Sequence, residues 1–504
     1  MSETQSPIDC EVCILGAGIA GLNALYAVSR HLSAGEKVVL IDRSAAPSGM
    51  WRTTYDYVRL HQPHPMFTVG NLRWRNQSDP YHLATRAEVV DHLQYCFEQL
   101  SGRAKLEAFF GYTYLSHEEQ PADARRPISV ECRRAQDGAP LRVRAKRLIK
   151  AFGYNVAPMQ PLEWSSSDVL SLGPESPELL AQVGQRGSSA PIYVVGGGKT
   201  GMDTAHMLIR ALPQRKIRML IGDGTMFLDR DKTVPGRLRR YYAGHTGVEA
   251  FLDVAKRFTG HNELQVTEYF RSNYCVSLDD TCRRYRFGLM SPAENRAISK
   301  GLDEVIRDHV VDVVSDQAGP TLVLRSGQRR RIEPGSVFIN CTGYLGTSSP
   351  YEPYLSARGN VLSIQPTSTV HFLSSQSAYF LAHLLMLGTL REAPIYEADI
   401  GELQSASRDV FAPTAITTTL YNTGVIASRL PRWVHAENGL DFTALFPIHR
   451  RLIALAKLML FLRLHPGQLR DSLDVVRERF NIRLGPLSHL PSSAPAEAAS
   501  ALAR

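Results

Sequence analysis

Gly16, Gly18 and Gly21 stand in the run Gly16-Ala17-Gly18-Ile19-Ala20-Gly21, spaced G-x-G-x-x-G. Each glycine has its own task. Gly16 permits a tight turn, Gly18 lets backbone approach a pyrophosphate with no Cβ between them, and Gly21 lets a helix pack closely on a strand. The helix that opens there offers unpaired N–H groups and the positive end of its dipole to anionic oxygens. Asp42 follows at the end of a second apolar run, where a carboxylate can accept both hydroxyls of a ribose. The chemistry implied is the cradling of a dinucleotide.

A second run, Gly196-Gly197-Gly198-Lys199-Thr200-Gly201, has the same spacing. Lys199 and Thr200 are expected to meet phosphate through side chain and backbone. Counted from the first glycine, the position matching Asp42 is Gly222, with Asp223 next. A carboxylate at that place repels a 2′-phosphate and a glycine does not. Arg218, Arg230, Lys232 and Arg237 lie close in sequence as phosphate partners, with Arg230 the favoured one. NADPH is therefore expected at the second turn, with NADH as the alternative. Asp223 also reads as plain turn chemistry within Gly222-Asp223-Gly224.

The elements that must position these turns are legible. Cys10 to Leu15 is an apolar strand, Ile19 to Leu32 carries apolar residues at helical spacing, and Val38 to Ile41 is fully apolar, as a strand covered on both faces should be. The order recurs as strand Ile192 to Val195, helix Thr200 to Leu212 and strand Ile217 to Ile221. Between the two, Thr85 is a cap candidate for a helix over 84–100, residues 105–152 suggest a small antiparallel sheet, and Gln182 to Ser189 reads as a linker. Strands are expected over 305–341. The fold class is α/β: two Rossmann-like dinucleotide-binding domains, a small antiparallel sheet and a helical C-terminal extension. Two dinucleotide sites in one chain imply hydride transfer between a nicotinamide and a flavin, so FAD is expected at the first turn.

Composition excludes other classes. Of 504 residues, 44% are hydrophobic and 21% charged, which is ordinary for a globular enzyme. A net charge of +8 without a long basic run fits a binder of phosphate-bearing cofactors better than a nucleic-acid module. Seven irregularly spaced cysteines argue against a secreted disulfide framework, the first residues lack an apolar signal core, and no long apolar run predicts a membrane span. A cytoplasmic protein with reduced thiols fits, and no metal site is expected. Cys10-Glu11-Val12-Cys13 matches C-x-x-C but lies within the first strand, where i and i+3 face opposite ways, so buried strand cysteines are the better reading.

With these residues in hand, the chain resembles the flavin-containing monooxygenases and the related class B flavoprotein monooxygenases over residues 9–420. The resemblance is carried, in order, by Ser48-Gly49-Met50-Trp51, Leu60-His61-Gln62-Pro63 and the helix entry Leu83 to Leu93. It continues through Lys150-Ala151-Phe152-Gly153-Tyr154 with Pro158 to Pro161, the turn Val195 to Asp203, and Asn340-Cys341-Thr342-Gly343-Tyr344. It implies FAD contacts from Arg43, Met50, Trp51, His61, Gln62, Gly153, Thr342, Gly343 and Tyr344. It also implies that Arg59 and His61 run along the flavin, where a histidine could tune an oxygen adduct at C4a. That adduct would oxygenate a small amine, sulfide or ketone substrate with O2 and NADPH. His64, bracketed by Pro63 and Pro65, reads as structural. The implied organisation is 1–165 and 336–430 for FAD, 190–335 for NAD(P)H, 431–486 as the helical extension and 487–504 as a disordered tail.

Three positions depart from the family's pattern. Its F-x-G-x-x-x-H fingerprint is absent from the run Leu162 to Asp168, His61 replaces an asparagine, and Gly222 replaces an arginine. A dehydrogenase or reductase that passes electrons to an organic acceptor without oxygen insertion is the alternative, and a non-catalytic redox sensor is a third class. Residues 445–464 read as a core-facing or lid helix, or else as a basic amphipathic helix at a membrane surface or dimer contact. Isologous dimers are the base expectation for assembly.

Overall fold

The structure is a computed structural model. It describes residues 6–75, 79–120, 125–153, 158–185, 189–343, 351–441 and 443–487. The first apolar strand is β1 (Ile8–Leu15), the glycine turn opens α1 (Ile19–Ser29), and β2 (Lys37–Asp42) returns parallel to β1. Residues Ala20 to Val28 of α1 are buried on every side, because the helix Ser374–Met386 covers the face turned away from the sheet. Its one polar residue at that depth, Asn23, is satisfied: its amide donates to the carbonyls of Ile19 and Thr68 and accepts from Gly70 N–H. Unpaired, that group would cost about 1–3 kcal/mol.

Thr85 caps α2 (Arg86–Ser101) in a complete capping box. Its hydroxyl accepts from Glu88 N–H, and the Glu88 carboxylate accepts from Thr85 N–H at 2.7 Å. The antiparallel sheet expected over 105–152 is not separate. β3 (Lys105–Phe110) pairs parallel to β2, while β4 (Tyr112–Glu119), β5 (Ile128–Arg134) and β6 (Pro140–Lys150) form a meander. β6 also runs parallel to β1, so one strand serves both patterns. With the strand Val361–Ser363 on β6, this makes one seven-stranded sheet in the order β3-β2-β1-β6-β5-β4.

The second unit repeats the plan. β7 (Leu170–Leu172) is followed by α3 (Leu179–Gln185), which runs into the first half of the expected linker, Gln182 to Gln185. Next come β8 (Ile192–Val195), α4 (Lys199–Ala211) and β9 (Ile217–Leu220). The sheet is wholly parallel, and Glu304–Ile306 and Val337–Asn340 complete it. The strand Val337–Asn340 thus sits in this sheet between β8 and β7, not in the first sheet, because its four fully buried residues fill the slot beside β8. Cys10 and Cys13 are buried and unbridged in β1. The spacing argument that sent them to opposite faces is too simple: both join Cys132 in one layer, Cys10 beside its register partner Ala145.

The C-terminal extension consists of the helices Arg432–Ala436, Ile448–Leu464 and Gln468–Phe480, then a strand Leu484–Pro486 that pairs with Tyr396–Asp399. Of the expected tail, Leu487 is buried and bonds Ile395 O; the rest, 488–504, lies outside the described residues. Glu397 on the strand Tyr396–Asp399 is wholly buried. Its carboxylate accepts from Tyr351 Oη and from Tyr354 N–H at 2.8 Å. Burial pushes its pKa up to about 7. A raised carboxyl binds its proton more tightly folded than unfolded, so it lowers stability as pH rises from the unfolded value near 4.5 through 7. Relative to wild type, Glu397→Gln should therefore lose less melting temperature between pH 5 and pH 8. Equal losses in the two proteins would contradict the assignment.

Candidate functional site

The first glycine turn is built so that no side chain fits. Gly16 has φ of 104°, and a Cβ on it would lie 2.4 Å from Ala151 O. A Cβ on Gly21 would lie 1.8 Å from Gly16 O. Gly18 is the N-cap of α1 and provides no side-chain cap, which leaves the first-turn amides to a ligand. Asp42 is fixed at the tip of β2: Ala17 N–H donates to Oδ2 at 2.5 Å and Ser44 N–H to Oδ1 at 2.7 Å. Each carboxylate oxygen keeps a further lone pair for a ribose. Arg43 beside it is exposed. The segment Ser48 to Trp51 lies directly on the turn. Ser48 N–H bonds Ala17 O, and a Cβ on Gly49 would come 3.0 Å from Gly18 Cα. Ser48 holds φ of 106°, strain of the kind found beside ligands. Met50 and Trp51 continue in a short 3-10 turn, with Trp51 edge-on to Phe67.

From Gly16 the chain of contacts runs through Ala151 to Gly153 and into a cleft. Gly153, Gln365, Ser368, His371, Phe372 and Ser374 line it, with Phe287 on the side of the second unit. Among the described residues, several buried polar atoms have no partner: Gln365 Nε2, Ser368 Oγ, His371 Nδ1 and Ser377 Oγ, and Gln62 Oε1 beside His61 in sequence. The orientation of Gln365 is fixed, since its Oε1 accepts from Glu352 N–H at 3.1 Å and from the Thr367 hydroxyl. Unpartnered groups of this kind are rare in a finished core. They fit a flat ring system with amide-like edges, such as the isoalloxazine of FAD, and the helix Ser374–Met386 begins at the same place.

The second turn repeats the close approach. Gly196 has φ of 121°, and its Cβ would lie 2.6 Å from Cys341 O. A Cβ on Gly201 would lie 1.9 Å from Gly196 O, while nothing stands within 4 Å of one on Gly198. Thr200 follows Lys199 in the first turn of α4. Lys199 is held by two carboxylates. Its ammonium bonds Asp203 and, at 3.2 Å, Glu294. Glu294 in turn takes Arg230 at 3.1 Å, and Arg230 donates to His61 O at 3.0 Å. Burial works against the Lys199 ammonium, but Asp203 and Glu294 outweigh it and raise its pKa. Burial likewise opposes the Glu294 carboxylate, yet Lys199 and Arg230 bring it below its ordinary value.

His61 therefore stands between the two units. Its Nδ1 accepts from Leu289 N–H at 3.0 Å, which places the ring proton on Nε2. Burial, then Lys199 and Arg230, lower its pKa to about 3, so the imidazole is neutral across the working range. Arg59 is exposed and donates to Leu83 O at 3.3 Å. No hydrogen bond joins Arg59 to His61 among the described residues. Thr342 folds back on Asn340, whose amide holds Gln160 O at 2.8 Å, and Gly343 has φ of 91°. Tyr344 lies outside the described residues.

Sequence reasoning missed several members. Tyr55 donates to Asp203 at 3.0 Å and Tyr57 meets Thr204 at 2.8 Å, so two adjoining tyrosines of the first unit, their rings tilted at 36°, dock on α4. Past β9, Asp223 is ringed by Arg284 at 2.7 Å, Arg408 at 3.1 Å and His309 at 3.8 Å. Of the four nearby basic residues, Arg218 is engaged with Asp303, Lys232 with Asn273 O and Arg230 as described, while Arg237 is exposed with no ion pair among the described residues. Arg284 and Arg408 are far off in sequence, and no local pattern signals them.

No thiol is prepared for redox chemistry. Burial pushes Cys10, Cys96, Cys132 and Cys341 up to about 12 and Cys282 to about 11, and raises Cys13 and Cys275 as well. All seven are free. A catalytic dithiol needs the opposite shift.

Fold and site together define an oxidoreductase with two dinucleotide cradles. A family model described as pyridine nucleotide-disulphide oxidoreductase matches residues 10–273, more than half of the chain, and the chain belongs to that family. An uncharacterized protein of Mycobacterium tuberculosis is 25% identical over 400 residues, 76% of this chain and 68% of the relative. Among solved structures, a flavin-containing monooxygenase from Stenotrophomonas maltophilia is 15% identical and covers 76% of this chain and 99% of its own, with a TM-score of 0.44. A bacillithiol disulfide reductase from Staphylococcus aureus is 11% identical, with coverage of 76% and 99% and a TM-score of 0.44. The chain is a flavoprotein that takes FAD and a nicotinamide dinucleotide.

The paired glycines make a separable prediction. Gly21→Ala should purify without FAD, because its Cβ displaces the Gly16 carbonyl. Gly201→Ala should keep FAD and lose nicotinamide-dependent reduction of it. Flavin content and reduction kinetics measure both, and a Gly21→Ala protein with full flavin would contradict the assignment of the first cradle.

Proposed function

We propose that the chain is an NADPH-dependent flavoprotein monooxygenase that uses O2 to oxygenate a small organic substrate. The observation that carries this reading is the state of His61: half-buried between the units, neutral, and fixed by Leu289 N–H as an Nε2–H donor. Bound FAD supplies a two-electron carrier between nicotinamide and oxygen. The chain's own residues then bind, orient and exclude water. The first glycine turn and Asp42 would hold the adenosine half of FAD. Gly153, Gln365, Ser368 and the start of the helix Ser374–Met386 would hold the ring. A neutral donor at His61 suits the stabilisation of a developing negative charge. Asn340-Cys341-Thr342-Gly343 and the motifs around it keep the order that the monooxygenase resemblance requires. The raised thiols argue against reduction of a disulfide.

NADPH is favoured over NADH by the cations that surround Asp223. Arg284 and Arg408 more than offset one carboxylate and suit a 2′-phosphate at the end of β9. Arg284→Ala with Arg408→Ala should raise KM for NADPH about tenfold and leave KM for NADH unmoved. Equal shifts for the two nucleotides would contradict that role.

One observation favours the dehydrogenase alternative. The segment that would bear the family fingerprint instead clamps the strand Val310–Asp316, through Ser165 to Asp312 and Ser166 to Ser315. Oxygen uptake against NADPH consumption, measured with a panel of amines, sulfides and ketones, separates the two. Monooxygenation gives product stoichiometric with NADPH and little peroxide. Electron transfer to an added acceptor with no oxygenated product for any substrate would favour the alternative. In His61→Gln the coupled rate should fall about 10²-fold, with no change in the shape of its pH profile between 5.5 and 8, since His61 does not titrate there. A wild-type limb near pH 6.5 that vanishes in the variant would contradict the neutral donor.

A further inference from the structure

The helix Ile448–Leu464 buries little of itself: Ala454 and Leu458 are its buried residues. Ile448, Leu452, Leu455 and Met459 stand exposed along one row, with Leu460 and Leu464 on the next. At about 100° per residue these rows cover roughly half the helix circumference. Beside the helix lies the 3-10 segment Arg237–Tyr241, fixed to it by Arg450, whose guanidinium donates to Ala243 O at 2.7 Å and Gly244 O at 2.8 Å. That segment adds Leu238, 74% exposed, Tyr241, and Tyr242, 76% exposed. More than half of the exposed large apolar side chains among the described residues lie on these two elements. Soluble monomers rarely gather apolar surface in this way without a partner for it.

We infer that this face docks in the interface of an anionic membrane. Charge selects the occupant. No acidic residue occurs between Ile448 and Arg470. Lys457 and Arg451 flank the apolar rows, each paired to an acid behind it, Glu249 at 2.6 Å and Asp441 at 2.7 Å. Arg463, Arg237 and Arg239 are exposed and have no ion pair among the described residues. An apolar sector edged by cations, with tyrosines at its rim, matches acyl chains beneath anionic headgroups. A second copy of the chain fits less well, because an isologous contact would set these arginines against themselves with no acid to answer them. The helix lies on the membrane and does not cross it. At ~1.5 Å per residue its 17 residues span about 25 Å, short of a ~30 Å hydrocarbon core. The helix that follows, Gln468–Phe480, turns away by 69° and is buried through Leu469, Leu473 and Val476.

The test is flotation of the purified full-length flavoprotein with vesicles of phosphatidylglycerol or of phosphatidylcholine, at low and high salt. Wild type should float with phosphatidylglycerol. Binding should fall about tenfold or more with phosphatidylcholine or in high salt. Leu452→Glu with Leu460→Glu should lose binding by a similar factor, and so should Arg239→Glu with Arg463→Glu. Both should keep bound flavin and the rate of NADPH oxidation in solution. Absent binding to phosphatidylglycerol overturns the inference, as does binding indifferent to lipid charge. So does a wild-type dimer, by light scattering, that Leu452→Glu with Leu460→Glu converts to monomer, since the face would then belong to a second copy.

Discussion

Arg230 reaches from the second unit to the first, one nitrogen on Glu294 and another on the carbonyl of His61. The position of the site depends on this bridge. Two Rossmann-like units that fold separately would leave the gap between their cofactors undefined. Here a chain of two cations and two carboxylates, Lys199, Asp203, Glu294 and Arg230, closes within the interface. Buried ion pairs of this kind add little net stability, because desolvation consumes most of the attraction. Their contribution is position. Removing one partner would strand the others, so the network has one arrangement, and the His61 segment is held to it. Tyr55 and Tyr57 add a second tie from the same loop to α4.

Within each unit the constraint is steric. A carbonyl occupies the space where the third glycine's Cβ would be, at 1.8 Å in one turn and 1.9 Å in the other. Strand and helix can therefore meet only through glycine, and the helix N-terminus is left open toward the ligand. The first turn is also roofed by Ser48 and Gly49, both at positive φ. The strained backbone, the uncapped start of α1 and, among the described residues, the unpartnered Gln365 Nε2, Ser368 Oγ and Ser377 Oγ suit a polar-edged ligand.

The architecture was legible because it rests on local patterns. Glycine spacing, apolar runs and the Thr85–Glu88 capping pair are each read within a few residues. What was not legible depends on chain topology. β6 pairs with β1 on one side and β5 on the other, so the expected separate sheet merged with the first; the strand Val337–Asn340 belongs beside β8 although its sequence neighbours rejoin the first unit. The candidate site follows the same division. Gly16, Asp42 and Gly196 were found by spacing, whereas Arg284 and Arg408 meet Asp223 only once distant segments are folded together. The sequence offered Lys199 as a phosphate ligand, but could not reveal that Asp203 and Glu294 compete for it. For residues 445–464 the sequence allows a core-facing or lid helix as well as a basic amphipathic one, because periodicity alone cannot say which apolar residues are covered.

The central claim is that one chain holds two cofactors close enough to pass a hydride between them. Anaerobic mixing of the purified flavoprotein with NADPH, followed by absorbance of the flavin, tests it most directly. Full bleaching of the oxidised flavin band, faster with NADPH than with NADH, is the predicted result. A protein that neither purifies with FAD nor takes it up on reconstitution, or whose bound flavin neither nucleotide reduces, would contradict the account.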